Sequence, residues 1–469
     1  MEENEEYTDD EVMRLVDQFK EMLHTGEMRY MEDEDMEVII ESLIAQMDFK
    51  TATKALNYAL RLFPNSLTFR LLKARKLMME LKLESAGKEL DRIERDFAPS
   101  AEIYLERAFF SKLVGNDEQT FPILKKAYRL DPDVPEVNLL LAGEYVKQGL
   151  YDKGFSLLKH ALEQDELIEE QLFTFSYIFE ENKKYDDSVR FFLKLTDTFP
   201  LSKGSWFALG LAYSWKQDFA NAIEAYLNVV SLDEETSTAY FNIGNAYYEM
   251  GDYPQALHYY EETLRIDDQD FHAMSGIGDC HYEMNEYDKA LDSYHQALIL
   301  NSDTTDALMG IITILQETGR NEEAEDFIQQ TVALEPRSFE LLFNILHLYE
   351  EEEQQEKLKE FFRLTIEQVE NKEEFLFFFT IFCCNMDNNS KILPMGINLL
   401  TDYLDDAEVT LSIPYQLAAM YYLSGDFTKG KDYLSTALLI NYDDHTRFLS
   451  IHPSLSEIEE IRLLIERYQ

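Results

Sequence analysis

The sequence predicts an all-α fold, a solenoid of about twelve helix pairs closed by a capping helix at each end. Three observations carry the prediction. The chain matches itself at a step of 34 residues, without insertion, over most of its length. One slot of that step is held by small residues almost throughout. Helix formers dominate the composition, and no stretch keeps the apolar–polar alternation of a strand.

Ser237 to Asp270 serves as the reference unit. Gly244, Tyr247, Gly251, Tyr253, Ala256 and Tyr260 stand at its positions 8, 11, 15, 17, 20 and 24. One period later the same positions hold Gly278, His281, Asn285, Tyr287, Ala290 and Tyr294. One period earlier they hold Gly210, Tyr213, Gln217, Phe219, Ala222 and Tyr226. Position 20 reads Ala52, Ala86, Thr120, Gly154, Ser188, Ala222, Ala256, Ala290 and Ala324, and position 32 reads Pro64, Pro132, Pro200 and Pro336 where it is proline. Small residues at 8 and 20 let the two helices of a pair cross closely, and bulky ones at 4, 7, 11 and 24 fill the space around the crossing. A glycine at 15, such as Gly251, ends the first helix in a left-handed turn. Proline near 32 ends the second. A unit this short cannot bury a core of its own, so its neighbours must complete it.

The unit before the reference carries Trp206-x-x-Leu209-Gly210-x-x-Tyr213, followed by Ala222 and Tyr226. With these residues the chain resembles the tetratricopeptide repeat (TPR) family. The resemblance implies a right-handed superhelical solenoid whose first helices line a concave wall. It implies a non-enzymatic binding protein without a cofactor. In family members that hold extended peptides, an asparagine at position 6 bonds the ligand backbone; Asn242 and Asn344 stand there, without a continuous ladder.

Phase divides the chain into an acidic N-terminal segment with a capping helix (1–32), ten in-register units (33–372), two further units (373–444) and a C-terminal capping helix (445–469). The tenth unit begins near Phe339, with Leu346, Tyr349 and Phe362 in its core slots. The eleventh is expected to hold about four extra residues in its turn, Asn385 to Ser390. The N-terminal helix is expected over Asp10 to Leu23, with Val12, Leu15, Val16, Phe19 and Leu23 on one face. The C-terminal helix is expected over Ser454 to Tyr468, capped by Ser454 or Ser456, with Leu455, Ile458, Ile461, Leu464 and Ile465 inward. No Ser/Gly/Pro-rich linker interrupts the series, so one continuous solenoid is expected.

Charge narrows the function classes. The 91 acidic residues exceed the 42 basic ones, for a net charge of −49. Such a chain repels phosphate backbones and anionic membranes, which argues against both as partners. Three cysteines, Cys280, Cys383 and Cys384, include no C-x-x-C pair and fit a reducing compartment. The N-terminus lacks the basic and apolar regions of a signal peptide. The most apolar run, Phe375 to Cys384, is short of the ~20 residues that span a bilayer and reads as a buried helix. A cytoplasmic location is expected.

No nucleotide-binding loop, zinc motif or nucleophile elbow is present. Gly276-Ile277-Gly278 lacks the third glycine and the preceding strand of a dinucleotide site. His272 and Asp279 share a helix face but lack the spacing that would define a metal geometry, and His281 reads as a packed core residue. The run Glu350 to Glu353 reads as a solvated turn.

Positions 2, 5, 9 and 12 of the first helix share one outward face. They supply the candidate peptide-binding residues: Phe173 and Tyr177, Phe207, then Phe241, Asn245 and Tyr248, then His272, Asp279 and Tyr282. Asn242 joins them from position 6, and position 13 adds Trp215, Glu249 and Glu283. Outward aromatics offer contact area to a ligand. From Ser237 to Thr304 the only basic residues are Arg265 and Lys289, so the expected partner is a protein or peptide segment bearing Arg or Lys. A monomer is expected. The alternative is a self-associating structural protein, in which the near-neutral stretch around Arg75 meets an acidic stretch of a second copy.

Overall fold

Helices start here where a short polar side chain can take up a free backbone N–H. Ser66 accepts from the Phe69 amide, Ser100 from Ile103, Ser202 from Ser205 and Asp270 from Ala273, each opening a first helix. Asp48, Asp252 and Asp426 do the same for second helices. The computed structural model describes residues 7–27, 29–164, 166–302, 304–334, 345–346, 355–369, 371–385, 389–404 and 412–468. Pro336, Phe339, Asn344, Tyr349 and the Glu350–Glu353 run lie outside them.

Among the described residues the fold is all-α. First helices such as Leu67–Met79, Ala101–Leu113 and Phe271–Glu283 run 13 residues, and second helices such as Leu83–Asp96 and Tyr287–Leu300 run 14. The chain forms two units, Met1–Ala239 and Tyr240–Gln469. Within each, a helix packs on its chain neighbours, and first helices also touch the first helix of the next pair, as Ala101–Leu113 touches Pro135–Lys147 and Phe271–Glu283 touches Thr305–Glu317.

Among the described residues, the turn between paired helices is left-handed at position 15 from Met47 to Gly319 whatever residue stands there. Gly115, Gly149, Gly251 and Gly319 have φ of 70–76°, and Met47, Leu81, Lys183, Gln217 and Asn285 are held at 53–63°. A side chain with a Cβ adopts this conformation at a cost on the order of 1 kcal/mol. Five such residues therefore show that helix packing, not glycine, imposes the turn.

Position 20 is sealed in the core: Ala52, Ala86, Thr120, Ser188, Ala222, Ala256, Ala290 and Ala324 are all buried. At position 8, a Cβ on Gly210, Gly244 or Gly278 would stand 2.4, 2.7 or 2.5 Å from the ring of Tyr226, Tyr260 or Tyr294. The position-24 tyrosine thus occupies the volume that position 8 vacates.

Three local expectations are corrected. Helices Lys372–Asn385 and Asn389–Thr401 leave only 386–388 between them, as Glu249 and Tyr253 leave 250–252, so the eleventh unit's turn is not enlarged; the added length lies between Thr401 and Ile413. Asparagine and serine suit a first helical turn as well as a loop, and composition could not separate the two. The C-terminal segment is not one helix. His445–Ser450 is a short helix, Pro453–Glu457 is a 3-10 turn, Ile458 is extended, and Glu459–Tyr468 is helical. The His452 ring, not a serine, caps the 3-10 turn by accepting from the Ser454 amide at 3.2 Å. Leu455, Ile461 and Leu464 are nonetheless buried, as the apolar spacing requires. Finally, the unit expected from Glu169 opens with a 3-10 stretch, Glu166–Gln171, so its first helix is only Leu172–Glu181.

Candidate peptide-binding face

Each candidate residue stands on a first helix, and its surroundings differ between the two units. In Met1–Ala239, Phe173 and Tyr177 are 47% and 43% exposed, an unusual state for large rings on a rigid helix. Tyr177 packs edge-on against Phe173 at 6.2 Å and lies 5.2 Å from Trp215. Phe207 is half-buried because it packs on the core ring of Tyr226 at 5.5 Å. Arg75 is not free on this face: its Nε donates to Glu106 at 2.8 Å, a terminal nitrogen donates to the same oxygen, and Glu41 lies 3.9 Å away. Glu106 is 2% exposed, and burial pushes its carboxyl up despite the guanidinium beside it.

In Tyr240–Gln469 the face is built from tyrosines that reach through glycines. Tyr260 is buried, and its ring passes between Gly244 and Gly276, where a Cβ on either would stand 2.7 Å from it. Its hydroxyl emerges to donate to Asn245 Oδ1 at 2.7 Å. Tyr294 repeats the arrangement between Gly278 and Gly310, donating to Asp279 Oδ1 at 2.6 Å. Asn245 and Asp279, expected as free outward groups, are therefore held in place from behind by the second helix. Phe241 is half-buried, with its ring 5.7 Å from Tyr260 and 6.2 Å from His272. Asn242 is half-buried on the helix Ser237–Glu249. His281 packs as expected, with Nδ1 2.8 Å from a Glu286 oxygen.

Tyr248, Asp279 and Tyr282 come together in one cleft of ≈ 290 Å³, completed by Glu283, Tyr294, Asp306, Met309, Gly310 and Thr313. Burial pushes the Asp279 carboxyl up to about 6, against the Tyr294 hydrogen bond that pulls it down. Burial raises the Tyr248 hydroxyl, and the charges of Asp279 and Glu283 raise it further. The Tyr282 hydroxyl is pushed up to about 12 by burial and by donating to Glu317 at 2.7 Å. The cations nearby are engaged elsewhere: Arg265 with Glu262, Lys289 with Glu286, Arg320 with Glu323. Among the described residues no ion pair reaches Asp279, Glu283 or Asp306.

The outward-face periodicity located three of the cleft's nine residues and the flanking position 13 a fourth, Glu283, but Tyr294, Asp306, Met309, Gly310 and Thr313 were missed. Position 24 reads as core, and Tyr294 is indeed 1% exposed by area while its hydroxyl reaches the cleft. The available signal was glycine at position 6, Gly276 and Gly310, in addition to position 8. Small residues on both flanks of a tyrosine let its ring pass through.

Family models match this region of the chain: tetratricopeptide repeat over 237–270 and again over 276–339, and TPR repeat over 210–251. The 237–270 match coincides with one helix pair, Ser237–Glu249 and Tyr253–Ile266. Residues 210–339 of the chain carry tetratricopeptide repeats. Its TPR units form a protein-interaction scaffold, the general use of these repeats. No curated protein matches the chain. Among solved structures, one titled "Crystal structure of MamA" is 20% identical over 42% of this chain and 94% of that chain, with a TM-score of 0.27. A second, "Crystal structure of MamA protein", is 21% identical over 43% and 92%, with a TM-score of 0.28. The likeness to tetratricopeptide repeats therefore rests on the family models over 210–339 and on the helix pairing. Among the described residues no group of three or more His, Cys, Asp or Glu side chains is arranged to hold a metal ion.

Proposed function

We propose that the protein is an adaptor that holds a basic, aromatic-bearing peptide or protein segment on its first-helix face. The observation that carries this reading is the cleft at Asp279, where carboxylates and tyrosine rings converge and, among the described residues, no lysine or arginine is ion-paired to Asp279, Glu283 or Asp306. A partner's cation supplies what the chain withholds, and the rings of Tyr248 and Tyr282 add a cation–π contribution. In the other unit, exposed Phe173 and Tyr177 offer apolar contact to the same kind of segment. The cleft hydroxyls of Tyr282 and Tyr294 each donate to a carboxylate, an arrangement that holds charge and leaves no poised nucleophile. The role we propose is binding. A cytoplasmic setting accords with three free, buried cysteines.

Pull-down of partners at rising ionic strength tests the proposal: binding should weaken as salt screens the face, and binding indifferent to salt would exclude an electrostatic groove. Self-association is the second reading. Arg75, the cation it relies on, is already engaged by Glu106 and Glu41, so light scattering should find a monomer at micromolar concentration.

A further inference from the structure

The repeat contains its own control for what the Asp279 cleft accepts. Arg75 and Glu106 occupy position 9 of one unit and position 6 of the next, 31 residues apart. Asp279 and Gly310 occupy the same two positions, with the same separation. In the N-terminal unit the space between these positions is filled by a guanidinium pairing with a carboxylate. Around Asp279 the carboxylate is present, but the facing position is glycine, and a cleft of ≈ 290 Å³ stands open there.

We infer that this cleft is a subsite for one arginine side chain of the bound segment, its guanidinium seated on Asp279. The inference rests on the proposed groove binding and gives it a residue-level specificity. Three features select a guanidinium over an ammonium. Two tyrosine rings, Tyr248 and Tyr282, line the cleft, and a planar cation stacks on aromatic faces more effectively than a compact one. Asp279, Glu283 and Asp306 lie on separate turns, which suits a fork of several donors. Met309 gives the arginine stem an apolar wall. The Tyr294 hydroxyl, 2.6 Å from Asp279, orients the carboxylate before the ligand arrives.

The test uses the full chain labelled with ¹³C at methionine methyls, because Met309 reports from the cleft wall. The probe is the capped tripeptide acetyl-Ala-Arg-Ala-amide, with lysine and the neutral isostere citrulline as alternatives. The arginine peptide should shift the Met309 signal saturably, the lysine peptide should bind several-fold more weakly, and the citrulline peptide should not bind. Asp279→Asn should weaken the arginine peptide about tenfold, as expected for the loss of one charge-assisted contact. This variant should fold, since Asn245 already accepts the Tyr260 hydroxyl in the equivalent position. Asp268→Asn, the same charge change at an exposed residue, should have no effect. Affinity should also fall between pH 7.5 and 5.5 as Asp279 takes up a proton. Citrulline binding like arginine, lysine binding equally well, or the two asparagine variants behaving alike would each overturn the subsite. A longer Arg–Ala peptide that bound the protein without moving Met309 would overturn the subsite and leave groove binding standing; no binding of either peptide would overturn both.

Discussion

Replacing Asp279 by asparagine should make the protein more stable at neutral pH while impairing binding. Burial raises the folded-state carboxyl from its ordinary 3.8 to about 6. Above pH 6 the group is ionised whether the chain is folded or unfolded, and the folded protein carries a charge it would rather not hold. Between about 4 and 6 the folded state keeps a proton that the unfolded state has lost. The stabilisation from that proton is fully present below the unfolded value near 3.8 and is lost as pH rises through about 6. A shift of about 2 units corresponds to ~3 kcal/mol of destabilisation at pH 7.5. Asparagine removes the charge and keeps the acceptor for Tyr294, so it should recover ~2–3 kcal/mol there and almost nothing at pH 4. Urea denaturation of both proteins across this range, with midpoints compared pairwise, measures it. A variant less stable than the parent at pH 7.5, or a difference that does not change with pH, would refute the reasoning. A carboxylate kept where it destabilises the fold is what a binding position predicts. A purely structural aspartate would lose stability on substitution.

Gly244→Ala should destabilise by ~1–3 kcal/mol, because the new Cβ stands 2.7 Å from the Tyr260 ring. Helix propensity alone favours alanine by about 1 kcal/mol, so the sign of the change decides between the two effects; a stabilised variant in a melting experiment would show that the tyrosine yields. The thiols of Cys280, Cys383 and Cys384 are all buried, the first pushed up to about 12 and the other two also raised by burial. A thiol reagent at pH 8 should therefore titrate none of them until denaturant is added, and then all three.

Much of the fold was legible as periodicity. Position 20 holds a small residue because two helices cross there, and that demand survives in Ala222, Ala256 and Ala290 however the rest of the repeat varies. The outward stripe of Phe173, Tyr177, Tyr248, Asp279 and Tyr282 followed from the 3.6-residue turn alone. The ends of the array were less legible. His452 caps the C-terminal 3-10 turn through a ring no capping rule would have chosen, and the extended backbone at Ile458 divides a segment whose apolar stripe suggested one helix.

The sequence by itself determined the helix pairs, their phase and the acidic balance, because each follows from local spacing and from side-chain identity. Only the tertiary structure decided the state of the individual groups. Met47, Leu81, Lys183, Gln217 and Asn285 take a left-handed turn against their own preference, because packed helices on either side leave no other path. Arg75 is paired with its own chain, whereas Asp279, at the same repeat position, faces an open cleft. Tyr294 belongs to the core by burial and to the cleft by its hydroxyl, since glycines on two neighbouring helices let its ring through. Such states depend on contacts between residues distant in sequence, and a one-dimensional pattern does not carry them.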